Sequence, residues 1–519
     1  MTVAADSPLL FLHEQDDIAV ARQNIPAGTS FQVPGTTESV TTREPIELGH
    51  KVAVRKLAQG TPVRKFGQVI GFTTAEIEPG SWVHMHNLGM GELSQTYEIG
   101  VDVPPAPDPI AGRTFQGIVR PDGRIATRNY VGIISTVNCS ATASKYVADA
   151  INQELLADYP NIDGVVALTH KGGCAFEFAG EDHRQLARTM GGFARHPNIG
   201  AYLVIGLGCE ASQPSFLVEE HGLVQLDIGQ PQEEKLPVMM NIQEQGGVAK
   251  TVDHAIGVLK ELLPQANQVE RTSVPVSEII LGTECGGSDG NSGVTANPAV
   301  GHASDLLVAM GATSILAEVP EMYGAEHMLV RRAVSEQVGE KLIERIRWWE
   351  DYARMFGVQI DNNPSVGNKK GGLTTIYEKS LGAVAKGGTT ALRAVYEYAE
   401  KVTEKGFVIM DTPGFDPASV TGMIAGGANM IVFTTGRGSC FGCKPVPTIK
   451  IATNTPMFNK MQDDMDINAG KILDGATVEE VGEEILEKII SVASGEKTKS
   501  EAQGIGDEEF CPWVSGPVL

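Results

Sequence analysis

Four cysteines of this 519-residue chain occupy the same local setting. Each stands just beyond a run rich in Val, Ile and Leu that ends in Gly or small polar residues: Cys139, Cys174, Cys209 and Cys285. Such runs predict buried strands, and open α/β sheets bind ligands at the carboxyl ends of their strands. Thiols gathered there could hold a metal ion or an iron-sulfur cluster, or face a reacting substrate. The first two intervals are 35 positions each, about one βα unit, so the spacing itself indicates the fold.

The segment ECGGSDGNSG follows the fourth apolar run directly and contains Glu284, Cys285, Asp289 and Ser292. Gly, Ser, Asn and Asp also favour turns for local reasons, which is the simpler interpretation. The density of polar groups nevertheless predicts a nest that holds an anion or a metal, with Cys285 and Glu284 facing the ligand.

Two pairs of residues could supply imidazole chemistry. His84 and His86 alternate in WVHMHN, on what is predicted to be the last strand of a β region, so both rings would share one face. They are candidate metal ligands, with solvated surface histidines as the alternative. Asp182 and His183 fall in a loop or first helical turn after the second apolar run. A carboxylate beside an imidazole suits general-base work, although Asp is also an ordinary helix cap.

Charged residues in loops after strands complete the candidate site. Glu318 and Glu321 flank a proline in AEVPEMYG, close enough for one to ligate a metal and the other to orient it. Lys369 in NKKGG and Arg437 in TTGRGS could clamp a carboxylate. TTGRGS lacks the Lys-Ser/Thr ending of a phosphate loop, and no G-x-G-x-x-G follows a strand, which disfavours a nucleotide cofactor.

An α/β framework is needed to position these residues. The first hundred residues alternate short β-branched runs with Gly and Pro turns, and VDVPPAPDPIAG cannot continue a strand or helix. From about Thr114 the pattern becomes apolar strand, Gly-rich turn and amphipathic helix, repeated. We therefore predict a small all-β domain at residues 1–103, a Pro-rich linker at 104–113, and α/β domains with mostly parallel sheets at 114–270 and 271–519.

Composition limits the class of protein. The formal charge of −23, from 64 acidic and 41 basic residues, makes nucleic acid and anionic membranes poor partners. The N-terminus shows no secretory signal and no run is long enough to span a bilayer, so a cytoplasmic protein is expected. Seven cysteines, an odd number, favour reduced functional thiols over disulfides. Cys440 and Cys443 form a C-x-x-C that could be redox-active or metal-binding.

Longer motifs point to one family. GHKVAVRKL and FGQVIGF in the β region, and VIGLGCE, ECGGSDGNSGVTANPAVG, AEVPEMYGAE, NPSVGNKKGG, TTGRG and DINAG beyond it, resemble the altronate and galactarate dehydratases. The resemblance implies a small β-clip domain of the SAF type joined to a large α/β dehydratase body. It also implies loss of water from a six-carbon sugar acid to give a 2-keto-3-deoxy acid. HMHN and the DH after Cys174 look closer to the altronate branch, so D-altronate is the first expected substrate, with galactarate as the alternative. SCFGC after Arg437 departs from the TPYG of both branches.

The resemblance further implies Fe²⁺ or a similar divalent ion such as Mn²⁺, and a 4Fe-4S cluster is an alternative that strand-end cysteines could supply. On this basis we expect the metal to be surrounded by His84, His86, one or more of Cys139, Cys174, Cys209 and Cys285, and Glu318. We expect His183, with Asp182, to be the base, and Arg437 with Lys369 to clamp the substrate carboxylate. Glu284, Asp289 and Ser292 complete the predicted catalytic set.

Two other functions stay open. A sulfo-lyase acting on a sulfonated hydroxy acid is built on the same architecture. A redox or binding protein could use clustered thiols and C-x-x-C for electron transfer, although the polar ECGGSDGNSG segment suits a small hydrophilic ligand better. A homo-oligomer is expected, a dimer by base rate.

Overall fold

The computed structural model describes residues 7–36, 39–93, 96–223, 225–226, 234–235 and 237–515. Within these ranges the chain forms an N-terminal all-β region followed by two α/β regions built on parallel sheets. This architecture confirms the predicted fold class. Among the described residues, no helix combines the length and the apolarity that crossing a bilayer would require.

The N-terminal region consists of short antiparallel strands joined by glycine turns. Its strands are β1 (Leu9–Leu10), β2 (Ile18–Ala21), β3 (Ser30–Gln32), β4 (Ser39–Thr41), β5 (Lys51–Ala53), β6 (Pro62–Lys65), β7 (Gln68–Thr73), β8 (Trp82–Val83) and β9 (Leu88–Gly89). They form the sheets β1-β2-β5-β8 and β6-β7-β9 and the β3-β4 hairpin. Gly80, at φ 83°, shows why these turns need glycine, because a Cβ there would lie 1.9 Å from the carbonyl oxygen of Thr41.

The second region is a four-stranded parallel sheet covered by helices. Its elements are β10 (Thr114–Val119), β11 (Ile125–Ala126), β12 (Tyr130–Ser135), α1 (Asn138–Glu154), β13 (Gly164–Leu168), α2 (Glu181–Ala194), β14 (Ile199–Gly206), α3 (Pro214–His221), β15 (Gln225–Leu226), β16 (Glu234–Lys235), β17 (Val238–Asn241), α4 (Ile242–Gln245) and α5 (Val248–Ala266). The parallel sheet has the order β13-β12-β14-β17. Every residue of β12 and β14 is buried, which explains their unbroken apolar sequences.

The third region is a seven-stranded parallel sheet. Its elements are β18 (Arg271–Pro275), β19 (Ile280–Cys285), α6 (Ala296–Ala309), β20 (Thr313–Leu316), α7 (Glu326–Val330), α8 (Glu336–Met355), α9 (Val366–Lys370), α10 (Ile376–Val384), β21 (Leu392–Tyr396), β22 (Gly406–Met410), α11 (Asp416–Ala425), β23 (Met430–Thr435), β24 (Thr448–Ala452), α12 (Thr455–Lys460), β25 (Ile467–Asn468), α13 (Val478–Ala493) and α14 (Lys499–Ala502). The sheet order is β21-β22-β20-β19-β23-β24-β25. A capping box of Thr477 and Glu480 begins α13.

The regions are held together by shared pairing and shared cores. β18, placed by the sequence in the last domain, pairs antiparallel with β10 at the start of the preceding one. The predicted boundary at residue 270 therefore falls beside a sheet that links the two regions, and it stays a prediction. Val63 and Ile70 of the β region belong to the same apolar core as Leu316 and Leu381 of the third region. The β region is thus packed directly on the third sheet's carboxyl side.

Candidate active site

The site lies at the topological switch point of the third sheet. The chain enters in the middle at β19, moves to β20 on one side, and later returns to the other side as β23. Loops that follow the two strands flanking such a point leave a crevice at their carboxyl ends. Here the loops contact each other directly, because Gly286 N donates to Thr434 O (3.1 Å) and Arg437 N donates to Gly287 O (2.7 Å).

Asp289 fixes the loop after β19. Its buried carboxylate accepts hydrogen bonds from Ser292 Oγ (3.1 Å), Thr453 Oγ1 (3.0 Å) and Asn454 Nδ2 (3.1 Å). Gly436 packs against it so closely that a Cβ there would lie 2.1 Å from Asp289 Cγ. Asp289 and Ser292, predicted as catalytic, are thus engaged in holding the loop conformation.

Cys285 ends β19 inside a cluster of buried acidic residues. Its thiol lies 3.3 Å from Glu318 Oε2 and 3.4 Å from Glu321 Oε2, and its backbone N–H donates to Glu318 Oε2 (3.0 Å). Glu318, at φ 65°, occupies the left-handed region that disfavours residues with a side chain, a strain that recurs at functional sites. Glu284 lies on the other side of Glu318 and accepts from Ser419 Oγ (2.7 Å).

Two lysines of one helical segment neutralise part of this acidity. Lys379 Nζ donates to Glu321 Oε1 (2.5 Å), and Lys386 Nζ donates to Glu318 Oε2 (2.6 Å). Both pairs are buried, with side chains at most 8% exposed. Buried pairs of this kind require close geometry, since each charge has lost its hydration.

The surroundings shift the pKa values of these groups in opposite directions. Burial, together with the charges of Glu318 and Asp416, raises the pKa of Glu284 well above its ordinary range. Burial likewise raises the pKa of the Cys285 thiol. Burial opposes ionisation of Glu318 too, but the two lysines outweigh it and lower the pKa of that carboxyl. For Asp416, burial and the neighbouring charges of Glu318 and Glu321 raise the pKa to about 7.

A divalent cation fits the acidic cluster. The buried atoms Glu284 Oε1 and Glu318 Oε1 have no hydrogen-bond partner among the described residues. Carboxylate oxygens of Glu284, Glu318 and Asp416 lie within 4.8 Å of one another, as do the ligand atoms of Cys285, Glu318 and Glu321. Buried oxygens are unfavourable unless a donor or a cation meets them. Because the two lysines bond to Glu318 Oε2 and Glu321 Oε1, the three-carboxylate group is the better cation site.

A pocket of about 280 Å³ opens onto this cluster. Its wall is formed in part by Cys285, Glu321, Lys379, Asn363 and Asp416. Asn363 Nδ2 donates to Glu321 Oε1 (2.7 Å) and Asn363 Oδ1 accepts from Lys379 Nζ (2.9 Å), so the amide orders the ion pair from the pocket side. A small hydrophilic molecule in this pocket would meet acid, base and thiol groups together.

The N-terminal β region supplies two further buried lysines. Lys51 Nζ donates to Glu378 Oε2 (2.8 Å) and Lys65 Nζ donates to Glu378 Oε1 (3.0 Å). Burial raises the pKa of a carboxyl, but the two lysine charges prevail and lower the pKa of Glu378. Glu378 precedes Lys379 on α10, so the β region fixes the helix that carries a lysine of the site.

His183 lies in the first helical turn, as predicted, but it does not line the pocket at the acidic cluster. It lies in the first turn of α2, where Ala179 N donates to its Nδ1 (3.3 Å) and its Nε2 lies 3.3 Å from Ala211 O. Its ring packs against Phe178 and Phe216. Both ring nitrogens thus have backbone partners, and the base role of His183 stays a prediction. Asp182, also predicted as catalytic, accepts a hydrogen bond from Ser515 N (3.0 Å).

The predicted metal ligands lie in separate parts of the structure. Cys285 and Glu318 come together as predicted, whereas Cys139, Cys174 and Cys209 are exposed at the edge of the second sheet. His84 and His86 lie in a turn after β8, not on a strand, because Asn87 caps that turn: His84 N donates to Asn87 Oδ1 (2.9 Å) and Asn87 Nδ2 to Trp82 O (2.9 Å). The two imidazoles are nevertheless close together, because both rings pack on the indole of Trp82.

One residue of the predicted carboxylate clamp lines a separate pocket. Arg437 lines a second pocket, of about 310 Å³, between the β region and the loop after β19. Lys370 and Lys460 line the same pocket, together with His50, whose Nδ1 accepts from Trp82 Nε1 (3.0 Å). Lys369 does not line this pocket, and its role in the clamp stays a prediction.

Sequence reasoning missed Lys379, Lys386 and Asp416. Lys379 and Lys386 are seven positions apart in IYEKSLGAVAKGG, a two-turn helical spacing that places both on one face. Asp416 follows the apolar run GFVIM by a short loop, the same strand-end signal that identified the cysteines. Both signals were present, but neither distinguishes a site residue from a solvated one without the fold.

Comparisons with known proteins agree along the whole chain. Three family profiles match: "Altronate/galactarate dehydratase SAF domain" at residues 7–91, "D-galactarate dehydratase/Altronate hydrolase, second domain" at 117–267, and "D-galactarate/Altronate dehydratase, C-terminal" at 276–518. The galactarate dehydratase (L-threo-forming) of Escherichia coli is 38% identical over 98% of this chain and 97% of its own length. The altronate dehydratase of Escherichia coli is 34% identical over 98% and 99%. The (2R)-sulfolactate sulfo-lyase subunit beta of Chromohalobacter salexigens is 31% identical over 77% and 97%.

Proposed function

We propose a substrate and a mechanism on the premise that this chain belongs to the altronate/galactarate dehydratase family and is a sugar-acid hydro-lyase. The substrate proposed is a six-carbon aldonate or aldarate, with D-altronate first and galactarate second. The product is the corresponding 2-keto-3-deoxy acid. Galactarate is tested beside D-altronate because this chain is 38% identical to a galactarate dehydratase.

One observation carries the proposal: Cys285, four carboxyl groups and two lysines meet at the switch point of the third sheet, beside a pocket of about 280 Å³. Dehydration next to a carboxylate needs a base for a weakly acidic C–H and a cationic environment for the enolate that develops. The cluster contains both kinds of group. Buried, pre-organised charges act more strongly than the same charges in water.

Glu321 is the proposed base. Lys379 and Asn363 both donate to its Oε1, which orients the carboxylate and leaves Oε2 toward Cys285. Glu321 takes the proton from the carbon beside the substrate carboxylate, and the C–O bond of the neighbouring hydroxyl then breaks. That oxygen leaves as water after receiving a proton, for which the Lys379 ammonium is the proposed donor. The enol product then tautomerises: its carbon that lost the hydroxyl takes up a proton, the enol hydroxyl loses its own proton, and the 2-keto acid results.

Fe²⁺, or Mn²⁺ in its place, is the proposed cofactor, held by Glu284, Glu318 and Asp416. Oxygen-rich ligand sets suit these ions, and the unpaired oxygens of Glu284 and Glu318 are the supporting observation. A bound divalent ion would supply Lewis-acid stabilisation of the developing negative charge. His84, His86 and Cys174 have no place in this proposed ligand set.

Arg437 remains the proposed carboxylate clamp, because a guanidinium can bind a carboxylate through two parallel hydrogen bonds. It lines the second pocket, and its backbone N–H donates to the carbonyl oxygen of Gly287 (2.7 Å), which lines the first pocket. R437K should raise KM more than it lowers kcat. A lysine keeps the charge and loses the paired geometry. An unchanged KM would remove Arg437 from substrate binding.

A substrate panel tests the function. Protein purified without oxygen and supplied with Fe²⁺ or Mn²⁺ is incubated with D-altronate, galactarate, other hexonates and sulfolactate. Formation of 2-keto-3-deoxy acid from one sugar acid is expected, with activity lost on chelation and restored by the metal. Sulfite release from sulfolactate without dehydration of any sugar acid would favour the sulfo-lyase. No reaction with the whole panel would favour the redox or binding alternative.

We also propose a cytoplasmic homodimer, on sequence grounds and base rate alone. Light scattering on the purified protein checks the dimer, and fractionation of the source cells checks the compartment.

A further inference from the structure

The three cysteines of the second region form a site of their own. We propose that Cys139, Cys174 and Cys209 hold an iron-sulfur cluster at the carboxyl edge of the sheet β13-β12-β14-β17. This site is separate from the acidic cluster around Cys285.

The topology places the three thiols where this type of sheet binds ligands. The chain begins at β12, moves to β13 on one side, and then crosses to β14 on the other. The switch point thus lies between β12 and β14, as in other sheets of the 2-1-3 order. Cys139 follows β12, Cys209 follows β14, and Cys174 follows the adjacent β13.

Direct hydrogen bonds join every pair of the three loops close to the cysteines. Asn138 N donates to Gly172 O (3.0 Å), which links the loops of Cys139 and Cys174. Ser212 N donates to Gly173 O (3.4 Å), which links the loops of Cys174 and Cys209.

The third pair, Cys139 and Cys209, is linked by Thr136 Oγ1, which donates to Glu210 Oε1 (2.8 Å). Gly173 approaches the first loop so closely that a Cβ there would lie 2.2 Å from Thr136 O. Each link uses residues within three positions of a cysteine, so the loops hold the three thiols near one another.

The environment of these thiols suits metal binding. All three are exposed, and Cys139 is the second residue of the 17-residue helix α1, whose first turn carries no acidic residue. Glu210, the acidic side chain beside Cys209, is buried and also accepts from Leu207 N (3.0 Å) and Gly208 N (2.7 Å). Sulfur therefore dominates the ligand set, which selects soft metals and iron-sulfur centres over Mg²⁺ or Ca²⁺.

The spacing of the sulfurs favours a cluster over a single ion. An ion bound at about 2.3 Å from each sulfur brings tetrahedral thiolates to roughly 4 Å from one another. Among the described residues, the groups with ligand atoms all within 4.8 Å of one another do not include these three cysteines. An iron-sulfur cluster places each thiolate on a different iron atom and so accommodates wider separations.

The site also faces the same side of the molecule as the acidic cluster. The helices α2 and α11 run side by side. Near their first turns, Gln185 of α2 donates to Trp513 O, and the Tyr398 hydroxyl joins Trp513 N to Ala418 O of α11. Near their ends, Gly192 of α2 lies against Ala425 of α11. Each helix begins at the carboxyl edge of its own sheet. Three thiolates on a four-iron cluster would leave one iron without a protein ligand on this side.

The test is anaerobic reconstitution of the full-length protein with iron and sulfide, followed by measurement of bound iron, acid-labile sulfide and visible charge-transfer absorption. C139S, C174S and C209S should each lose most of the bound sulfide and the absorption. C440S is the matched control, because Cys440 is also exposed but lies in the C-x-x-C after β23. It should retain both signals.

Two outcomes would overturn the proposal: wild-type protein that binds no sulfide, or C440S losing as much sulfide as the three variants. Iron bound without sulfide, and lost in the three serine variants, would also overturn it, in favour of a single ion at the cysteines. Circular dichroism of each serine variant confirms that the fold is intact. No substrate enters this measurement, so its failure is distinct from failure of the proposed dehydratase reaction, which is measured by turnover.

Discussion

The two parallel sheets both end in cysteines, yet they place them in opposite environments. Cys285, at the edge of the third sheet, is 2% exposed and lies among carboxyl groups and lysines. Cys139, Cys174 and Cys209, at the edge of the second sheet, are exposed. One local sequence pattern, an apolar run followed by small residues and a thiol, thus gives two kinds of site. Burial and neighbouring charge, rather than the pattern, determine the chemistry available to each thiol.

The largest expected effect tests whether catalysis belongs to the third sheet. E321Q should lower kcat on the order of 10²–10⁴-fold, because it removes the proposed base while keeping its shape and its hydrogen bond from Lys379. Steady-state kinetics with the substrate found in the panel measure this. The exposed Glu220 of α3 gives a matched control, and E220Q should keep normal kcat. Full activity of E321Q would move the chemistry away from this edge.

The second prediction concerns charge at the third sheet. K386M leaves Glu318 buried without its lysine partner and should lower the free energy of unfolding by about 3–5 kcal/mol. K145M breaks an exposed pair with Glu508 near the second sheet and should cost at most about 1 kcal/mol. Urea unfolding of both variants measures the difference. Equal losses of unfolding free energy in the two variants would mean that the buried ion pair stabilises the protein no more than the exposed pair does.

The third prediction uses pH to test how the β region supports the site. The lysines lower the pKa of Glu378 in the folded protein. Its contribution to stability is therefore present above the ordinary Glu pKa of about 4.3 and is lost as the pH falls below it. E378Q should be less stable than wild type by about 3 kcal/mol at neutral pH, and the gap should narrow in acid. Melting temperatures of wild type and E378Q, measured from neutral to acid pH, give this difference. A difference that stays constant with pH would contradict the proposed contribution of the Glu378 charge.

The fourth prediction uses thiol labelling to compare the cysteines of the two sheets directly. In protein freed of metal, iodoacetamide should label Cys139, Cys174 and Cys209 on the order of 10²-fold faster than Cys285, because a buried thiol reacts only after local opening and burial raises its pKa. Peptide mass spectrometry locates the label. After cluster reconstitution the three exposed thiols should be protected. Rapid labelling of Cys285 in the folded protein would contradict the difference in burial between Cys285 and the three exposed cysteines.

The smallest effect is expected at His183. H183Q should change kcat by less than about threefold and lower the free energy of unfolding by about 1–3 kcal/mol, because both ring nitrogens serve backbone partners. Kinetics and urea unfolding of one preparation give both numbers. A large fall in kcat with normal stability would restore the base role.

The sequence by itself determined the fold class, the family and much of the acidic site. Apolar runs of β-branched residues have few alternatives to buried parallel strands, and ECGGSDGNSG places polar groups at a strand end whatever the packing. Glu284 and Cys285 were predicted from that segment, and Glu318 from AEVPEMYG after a later apolar run. The same reasoning failed at His84 and His86, where the side chain of Asn87 makes a turn out of a segment with strand-like alternation.

Only the tertiary structure decided which residues meet. Lys379 and Lys386 lie about a hundred positions from Cys285, and Lys51 and Lys65 reach Glu378 from another region of the chain. Such contacts depend on how sheets and helices pack, and local sequence carries no record of them. Packing also assigned the four strand-end cysteines to two separate edges. A thiol's exposure and its neighbouring charges are set by the whole fold, and these determine its pKa and its possible ligands.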